Sequence, residues 1–262
     1  MDQAYYREYF ALERQHWWFR ARAELLMGYL RRTLGSRSQS LRILNVGAAT
    51  GRSSELLRQF GLVTSVEYDG PCCAFTRAQT GLDLVQASIT HLPFPSDSFD
   101  LACCFDVIEH VQDDAAAVAE LHRVCRGNGL MCFTVPAFMF LWSQHDQVNH
   151  HCRRYSGGQL REVIKRSGAR LVFHSYFNFW LFFPIAGFRI LQGLAPRKTS
   201  RQDAGSDFFA VQNPFLDKVF YAIFRTEAPL IRWGVRFPAG VSILSTWRKR
   251  EQTAADALRP TL

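Results

Sequence analysis

Between residues 41 and 136, short apolar runs alternate with stretches whose apolar positions recur at helical spacing. Leu41–Val46, Leu62–Val66, Leu82–Gln86, Phe99–Phe105 and Leu130–Val135 are bounded by glycine, proline or small polar residues and predict five strands. Helices are predicted from the first turn to about Phe60, from Pro71 to Gln79 and from Asp113 to Cys125, the last stopping before Gly127-Asn128-Gly129. Such β/α alternation with short turns predicts a parallel sheet covered by helices on both faces. Upstream, residues 2–35 contain no proline and keep a helical period through Ala21–Leu30, which predicts one helix closed by the polar linker Gly35–Ser40. Downstream, Gly158–Arg166 reads as a helix, Arg170–His174 as a strand and Gly240–Trp247 as the last strand. The tail from Glu251 to Leu262 reads as frayed.

Composition adds limits rather than identity. The 262 residues, 48% of them hydrophobic, suit one α/β domain with elaborations. The net charge of +8 allows an anionic partner, but the basic residues are scattered and form no nucleic-acid motif, so nucleic acid is not expected. The 7 cysteines form no CxxC pair and no secretory apolar stretch precedes the first helix, which fits reduced thiols and a cytoplasmic location. The nearest thing to a membrane span, Phe179–Phe188, is about half the roughly 18 residues needed, contains Pro184 and stops at Arg189. It suits a membrane surface better than a crossing.

Candidate chemistry begins at Val46–Gly51, a G-x-x-x-G turn between a strand and a helix. Glycine there lets backbone approach a ligand, although such turns also occur for purely structural reasons. Glu67, 20 residues after Gly47, closes the second strand, where a carboxylate can accept ribose hydroxyls or simply sit in a solvated turn. Together the two features favour a nucleoside cofactor. A dinucleotide would favour G-x-G-x-x-G instead.

The runs Ile43–Gly51, Val63–Asp69, Leu92–Asp100, Asp106–His110 and Glu120–Gly129, in that order, resemble the class I S-adenosylmethionine-dependent methyltransferases of the type 11 domain group over about residues 41–136. The resemblance implies S-adenosyl-L-methionine as cofactor, with Gly47, Ala49 and Gly51 along its methionine part, Glu67 on ribose, Ser88 and Ile89 flanking adenine, and Asp106 near the sulfonium. It also implies a lid from the N-terminal helix, with Arg20 or Arg22 reaching the cofactor carboxylate; an aromatic face packed on the sheet is the alternative. Three positions depart from the family: Asn45 for Asp, Ala49 for Gly, and Ser88 for the acid that meets the adenine amino group. A neutral hydroxyl is a weaker partner for an amine than a carboxylate. Glu109 and His110 read either as site residues or as a hydrogen-bonding pair at a helix start.

Beyond the fifth strand lie Trp142–Asp146 and His150–Tyr155, where open α/β sheets place ligands. The expectation is that His145 or His151 acts as base, with Asp146 orienting a ring and Arg153 or Arg154 holding an anionic group; a loop-anchoring network is the alternative. The histidine and aspartate spacing matches no metal-ligand pattern, so no metal is expected.

The expected architecture is therefore α/β: a Rossmann-like, seven-stranded, mostly parallel sheet, its last two strands an antiparallel hairpin. Residues 1–35 form an N-terminal lid, 41–175 and 238–250 the core, and 176–237 an aromatic-rich helical cap inserted before the last strand. The cap reads as lining for a hydrophobic substrate, as a membrane contact through residues 176–201 with Arg189, Arg197, Lys198 and Arg201, or as extra core packing. The expected function is O- or C-methylation of a small-molecule or lipid-like acceptor. The alternatives are a non-catalytic module of the same fold and a peripheral membrane-binding protein.

Overall fold

The structure, a computed structural model, describes residues 3–35, 40–194 and 213–251. Two helices, α1 (Gln3–Gln15) and α2 (Trp17–Leu34), lead into β1 (Leu41–Val46), α3 (Arg52–Leu57), β2 (Gly61–Glu67), α4 (Gly70–Thr80) and β3 (Leu84–Gln86). Then come β4 (Phe99–Phe105), α5 (Asp114–Val124), β5 (Cys125–Pro136), α6 (Gln144–Val148), α7 (Gly157–Lys165) and β6 (Arg170–Phe177). Helices α8 (Phe179–Leu194), α9 (Pro214–Arg225) and α10 (Glu227–Arg232) precede β7 (Ser242–Arg248).

The seven strands form one sheet in the order β3-β2-β1-β4-β5-β7-β6. β1 to β5 pair in parallel, and β7 runs antiparallel between β5 and β6. The strand order reverses between β1 and β4, which puts the topological switch point at their carboxyl ends.

Alternation along the strands sorts the core into two halves. In β4, Leu101, Cys103 and Phe105 face one side, while Ala102 and Cys104 face the other. The first side is covered by Leu25 and Leu30 of α2, Leu57 of α3, Phe224 of α9 and Ile231 of α10. The second is covered by Val118 and Leu121 of α5 and by Leu160 and Ile164 of α7. Every described cysteine is free, and Cys72, Cys103, Cys104, Cys125 and Cys132 are buried, so they act as small apolar side chains.

Three local expectations change. The single helix over residues 2–35 breaks at His16, which is extended (φ −70°, ψ 138°) and accepts the Trp18 N–H on its ring. The Trp17 N–H is taken by Asp217 of α9 at 3.0 Å. Only α1 therefore leaves the sheet, while α2 packs beneath it. Second, Cys125 begins β5 rather than ending a helix, and Gly127 and Gly129 lie inside that strand. Third, the insert between β6 and β7 divides. α9 and α10 join α2 in the core, with Phe224 stacked parallel to Phe177 and Phe220 against Trp17. α8 buries Leu181 in the same core and also flanks the loop after β5, where Phe182 meets Phe138 and Phe140. Arg197, Lys198, Arg201, Phe208, Phe209, the middle of the linker at 36–39 and the tail at 252–262 lie outside the described residues. Among the described residues no helix is long and apolar enough to cross a membrane.

Glu227 ties the insert together. Its Oε1 accepts the N–H groups of Phe179 (2.7 Å) and Trp180 (3.2 Å) at the start of α8, while the buried Oε2 has no partner among the described residues. Burial pushes its pKa up from 4.5 to about 7. The folded state thus holds this proton more tightly than the unfolded chain. Its contribution to stability is full below the unfolded pKa and is lost as pH rises through the folded one. Glu227→Gln carries no charge, so its stability relative to the unsubstituted chain should rise by about 3 kcal/mol between acid and neutral-to-alkaline pH. Urea unfolding of both proteins at pH 4.5 and pH 8 checks this; a difference independent of pH contradicts it.

Candidate active site

At the carboxyl end of β1 the chain turns through three left-handed residues, Gly47 (φ 70°), Ala49 (φ 45°) and Gly51 (φ 90°). A Cβ on Gly47 would overlap a methyl of Val107, so this backbone must be glycine to lie against the turn after β4. Ala49 is the unusual member, because a left-handed alanine costs on the order of 1 kcal/mol. It is held there from both sides. The Ala49 N–H donates to Glu67 Oε2 at 2.9 Å, and its carbonyl accepts the Thr76 hydroxyl at 2.9 Å. Left-handed backbone recurs at Asp106 after β4 and Phe138 after β5, so strain collects along one edge of the sheet, around the switch point.

Glu67 is fixed by its own strand end. Oε1 accepts the N–H groups of Tyr68 (2.8 Å) and Asp69 (3.1 Å), while Oε2 accepts that of Ala49. Three of about four acceptor positions are filled, leaving one to spare. The structure thus joins Glu67 to the first turn. Asn45 lies elsewhere: it is buried within β1 and donates to Ser53 and Ser54 Oγ, both at 2.8 Å, locking β1 to the start of α3. An amide suits this position because it faces two hydroxyl acceptors. Ser88 follows β3, and its hydroxyl is paired with Thr90 at 2.9 Å. The Ile89 side chain is buried in the core, which leaves its backbone rather than its side chain to meet a ligand.

Helix α1 straddles these elements. Tyr6 donates to Asp69 at 2.6 Å at one end of it. At the other, Glu13 accepts the Thr50 hydroxyl, and Arg14 pairs with Glu55 at 2.7 Å. Burial pushes Glu13 up to about 7, against the pull of Thr50, Arg14 and Arg22. From α2, Arg22 reaches Asp106 Oδ2 at 2.5 Å and Thr134 Oγ1 at 2.7 Å, yet its buried Nε has no partner among the described residues. Arg20 turns away and lies over the ring of Tyr221. Of the two arginines, then, only Arg22 joins Asp106.

The loop after β5 gathers a second group. Asp146, buried in α6, accepts His151 Nδ1 at 2.7 Å, Arg154 Nε at 2.8 Å and Arg154 Nη2 at 2.9 Å. Burial alone would raise its carboxyl; the His151 and Arg154 hydrogen bonds hold it well below the usual carboxylate range. Asp146 does orient a ring, that of His151. His145 instead packs against Asn149, its ring centroid 5.9 Å from that of His151. Neither arginine is open to an anion: Arg154 is bound to Asp146 and Arg153 to Asp114 at 2.8 Å, because both face carboxylates of the fold itself.

Glu109 gains a meaning its sequence position hid. It lies in a tight turn after β4, fully buried, and neither carboxylate oxygen has a partner among the described residues. Burial, and then the Asp106 charge, push its pKa well above the ordinary range. It caps no helix. The His110 ring meets that of His151 edge-on at 4.5 Å, so the turn after β4 and the loop after β5 share one cluster.

Known proteins match the same segment. A family model described as the methyltransferase domain matches residues 44–133, spanning β1 to β5. Residues 44–133 are thus similar to the S-adenosylmethionine-dependent methyltransferases. A Mycobacterium tuberculosis protein described as a probable S-adenosylmethionine-dependent methyltransferase is 30% identical over 164 residues, 60% of this chain and 57% of that one. The match thus spans little more than half the relative's length. A demethylmenaquinone methyltransferase from Renibacterium salmoninarum is 31% identical over 102 residues, 37% of this chain and 43% of its own. In fold, a solved S-adenosylmethionine-dependent methyltransferase from Archaeoglobus fulgidus superposes with a TM-score of 0.54 at 16% identity, covering 92% of this chain and 99% of its own. Within this methyltransferase fold, the first turn and Glu67 occupy the switch point described above.

Proposed function

We propose that this protein is an S-adenosylmethionine-dependent methyltransferase acting on a small, apolar or lipid-like acceptor, at oxygen or carbon. One observation carries the reading: the Glu67 carboxylate is anchored to Ala49 of the first turn with an acceptor position to spare. This fits a nucleoside cofactor, as does the absence of room for any side chain at Gly47. Glu67 would hold ribose, Gly47, Ala49 and Gly51 would pass the methionine part, and Ser88 and the Ile89 backbone would lie by adenine. Arg22 would offer its Nε, which has no partner among the described residues, to the cofactor carboxylate, with Asp106 beside the reacting end. When bound, the cofactor supplies a methyl group on a sulfonium, whose in-line transfer depends on alignment and exclusion of water. Helix α1 supplies that exclusion, fastened across the turn at Asp69 and Thr50. On the acceptor side His145, Asp146 and His151 form the polar wall; His151, bonded through Nδ1, turns its other nitrogen outward from Asp146.

Helix α8 supports an apolar class of acceptor. Phe182 joins Phe138 and Phe140 at the loop after β5, while Trp180, Phe183, Phe188, Ile190 and Leu191 are exposed. These residues suit an apolar acceptor or contact with the inner face of a membrane by a cytoplasmic protein. The relative named for demethylmenaquinone supports the same class. The test is to incubate the chain with methyl-tritiated cofactor and an extract of small molecules and lipids, then to count label after partition. The reading predicts label in the organic phase; label confined to protein or nucleic acid contradicts it.

A further inference from the structure

We propose that Glu109, His110 and His151 bind one divalent cation with the coordination chemistry of zinc. One donor atom from each lies within 4.8 Å of the others. Ligands about 2.05 Å from a tetrahedral zinc stand about 3.3 Å apart, so closure requires each side chain to move by up to about 0.9 Å.

Each residue brings an independent reason. Glu109 is fully buried with both oxygens unpartnered among the described residues, a state a carboxylate relieves by taking a proton or a cation. His151 is bonded through Nδ1 to Asp146, which itself receives two hydrogen bonds from Arg154 and so acts as acceptor. The proton therefore sits on Nδ1 and the lone pair on Nε2, the carboxylate–histidine arrangement that orients metal ligands. The Cys152 N–H donates to the Glu109 carbonyl at 2.7 Å, which straps the His151 loop to the Glu109 turn. His110 is exposed and gives the cluster its access to solvent.

Two histidines and one glutamate leave a fourth position open, as in catalytic rather than closed structural sites. The site's role, though not its existence, rests on the methyltransferase reading. The open position would take an acceptor hydroxyl and lower its pKa, its proton leaving to water, so that oxygen is held as the anion. Sequence spacing concealed the site because two ligands are adjacent and the third lies 41 positions on.

The test titrates zinc into the chelator-stripped full chain by calorimetry at pH 7, alongside Glu109→Gln and His110→Ala, with thermal melts confirming that both fold. One equivalent is expected for the unsubstituted chain, weakened at least about tenfold by each substitution. His110 is exposed, so its variant keeps the test valid should Glu109→Gln fail to fold. No binding to the unsubstituted chain overturns the proposal, as does binding undiminished by the substitutions or lost only in Cys152→Ser. S-adenosylhomocysteine is titrated in parallel. Zinc bound without the nucleoside would uphold the metal site and remove its catalytic role.

Discussion

Glu67→Ala is expected to weaken S-adenosylhomocysteine binding about 10- to 100-fold while the chain remains folded. A hydrogen bond to a charged group contributes about 1.5–3 kcal/mol, and the one acceptor position left on the carboxylate takes one ribose hydroxyl. The substitution also frees the N–H groups of Ala49, Tyr68 and Asp69, but Glu67 is only half-buried, so water replaces the lost acceptor. Folding should suffer little beyond loosening of the left-handed Ala49 turn. Glu67→Gln keeps one acceptor oxygen and should lie between the two. Titration calorimetry on the three proteins reads the series. Equal affinity in Glu67→Ala and the unsubstituted chain would contradict a ribose on this side chain.

Asp146→Ala should lower stability by about 3–5 kcal/mol, the cost of leaving a buried charge without its partner. Arg154 is itself buried and would lose its two-point contact, His151 its ring partner, and Ser143 the acceptor that closes the start of α6. Because the partners hold the Asp146 pKa below its ordinary value, its contribution is present above the unfolded pKa of 3.8 and fades as pH falls through the folded one. The deficit of the variant should therefore shrink in acid. Replacing both members, Asp146→Ala with Arg154→Met, should recover much of the loss, since an apolar pair leaves no buried charge. Urea unfolding at pH 7 checks the series. A loss under about 1 kcal/mol in the single variant would mean the pair behaves like an exposed one.

The strands were legible because each carries its own evidence. β1 and β4 run over Leu41–Val46 and Phe99–Phe105 as the apolar pattern predicts, each cut short by a left-handed turn residue, Gly47 or Asp106. The first turn and Glu67 were legible for the same local reason, 20 residues apart on adjacent strands. What the pattern concealed was set by distant partners. The break at His16 is fixed by Asp217, 200 positions after Trp17, and a helical period says nothing of that. Arg154 looked like an anion clamp until Asp146 claimed it. Glu109 reads in sequence either as a site residue or as part of a helix-start pair, and only the folded turn shows a buried carboxylate with no partner among the described residues. Asn45, a departure from the family, proves to face two serine hydroxyls. The aromatic insert read as one body because composition is blind to which rings face the sheet.

The central claim is that a nucleoside with an amino-acid tail lies along the first turn with its ribose on Glu67. A crystal structure grown with S-adenosylhomocysteine tests it most directly. The expected result is a ribose hydroxyl on the spare acceptor position of the Glu67 carboxylate, and the sulfur facing Asp106 and the cluster of Glu109, His110 and His151. A ligand bound elsewhere, or a first turn still bare at saturating ligand, would contradict it.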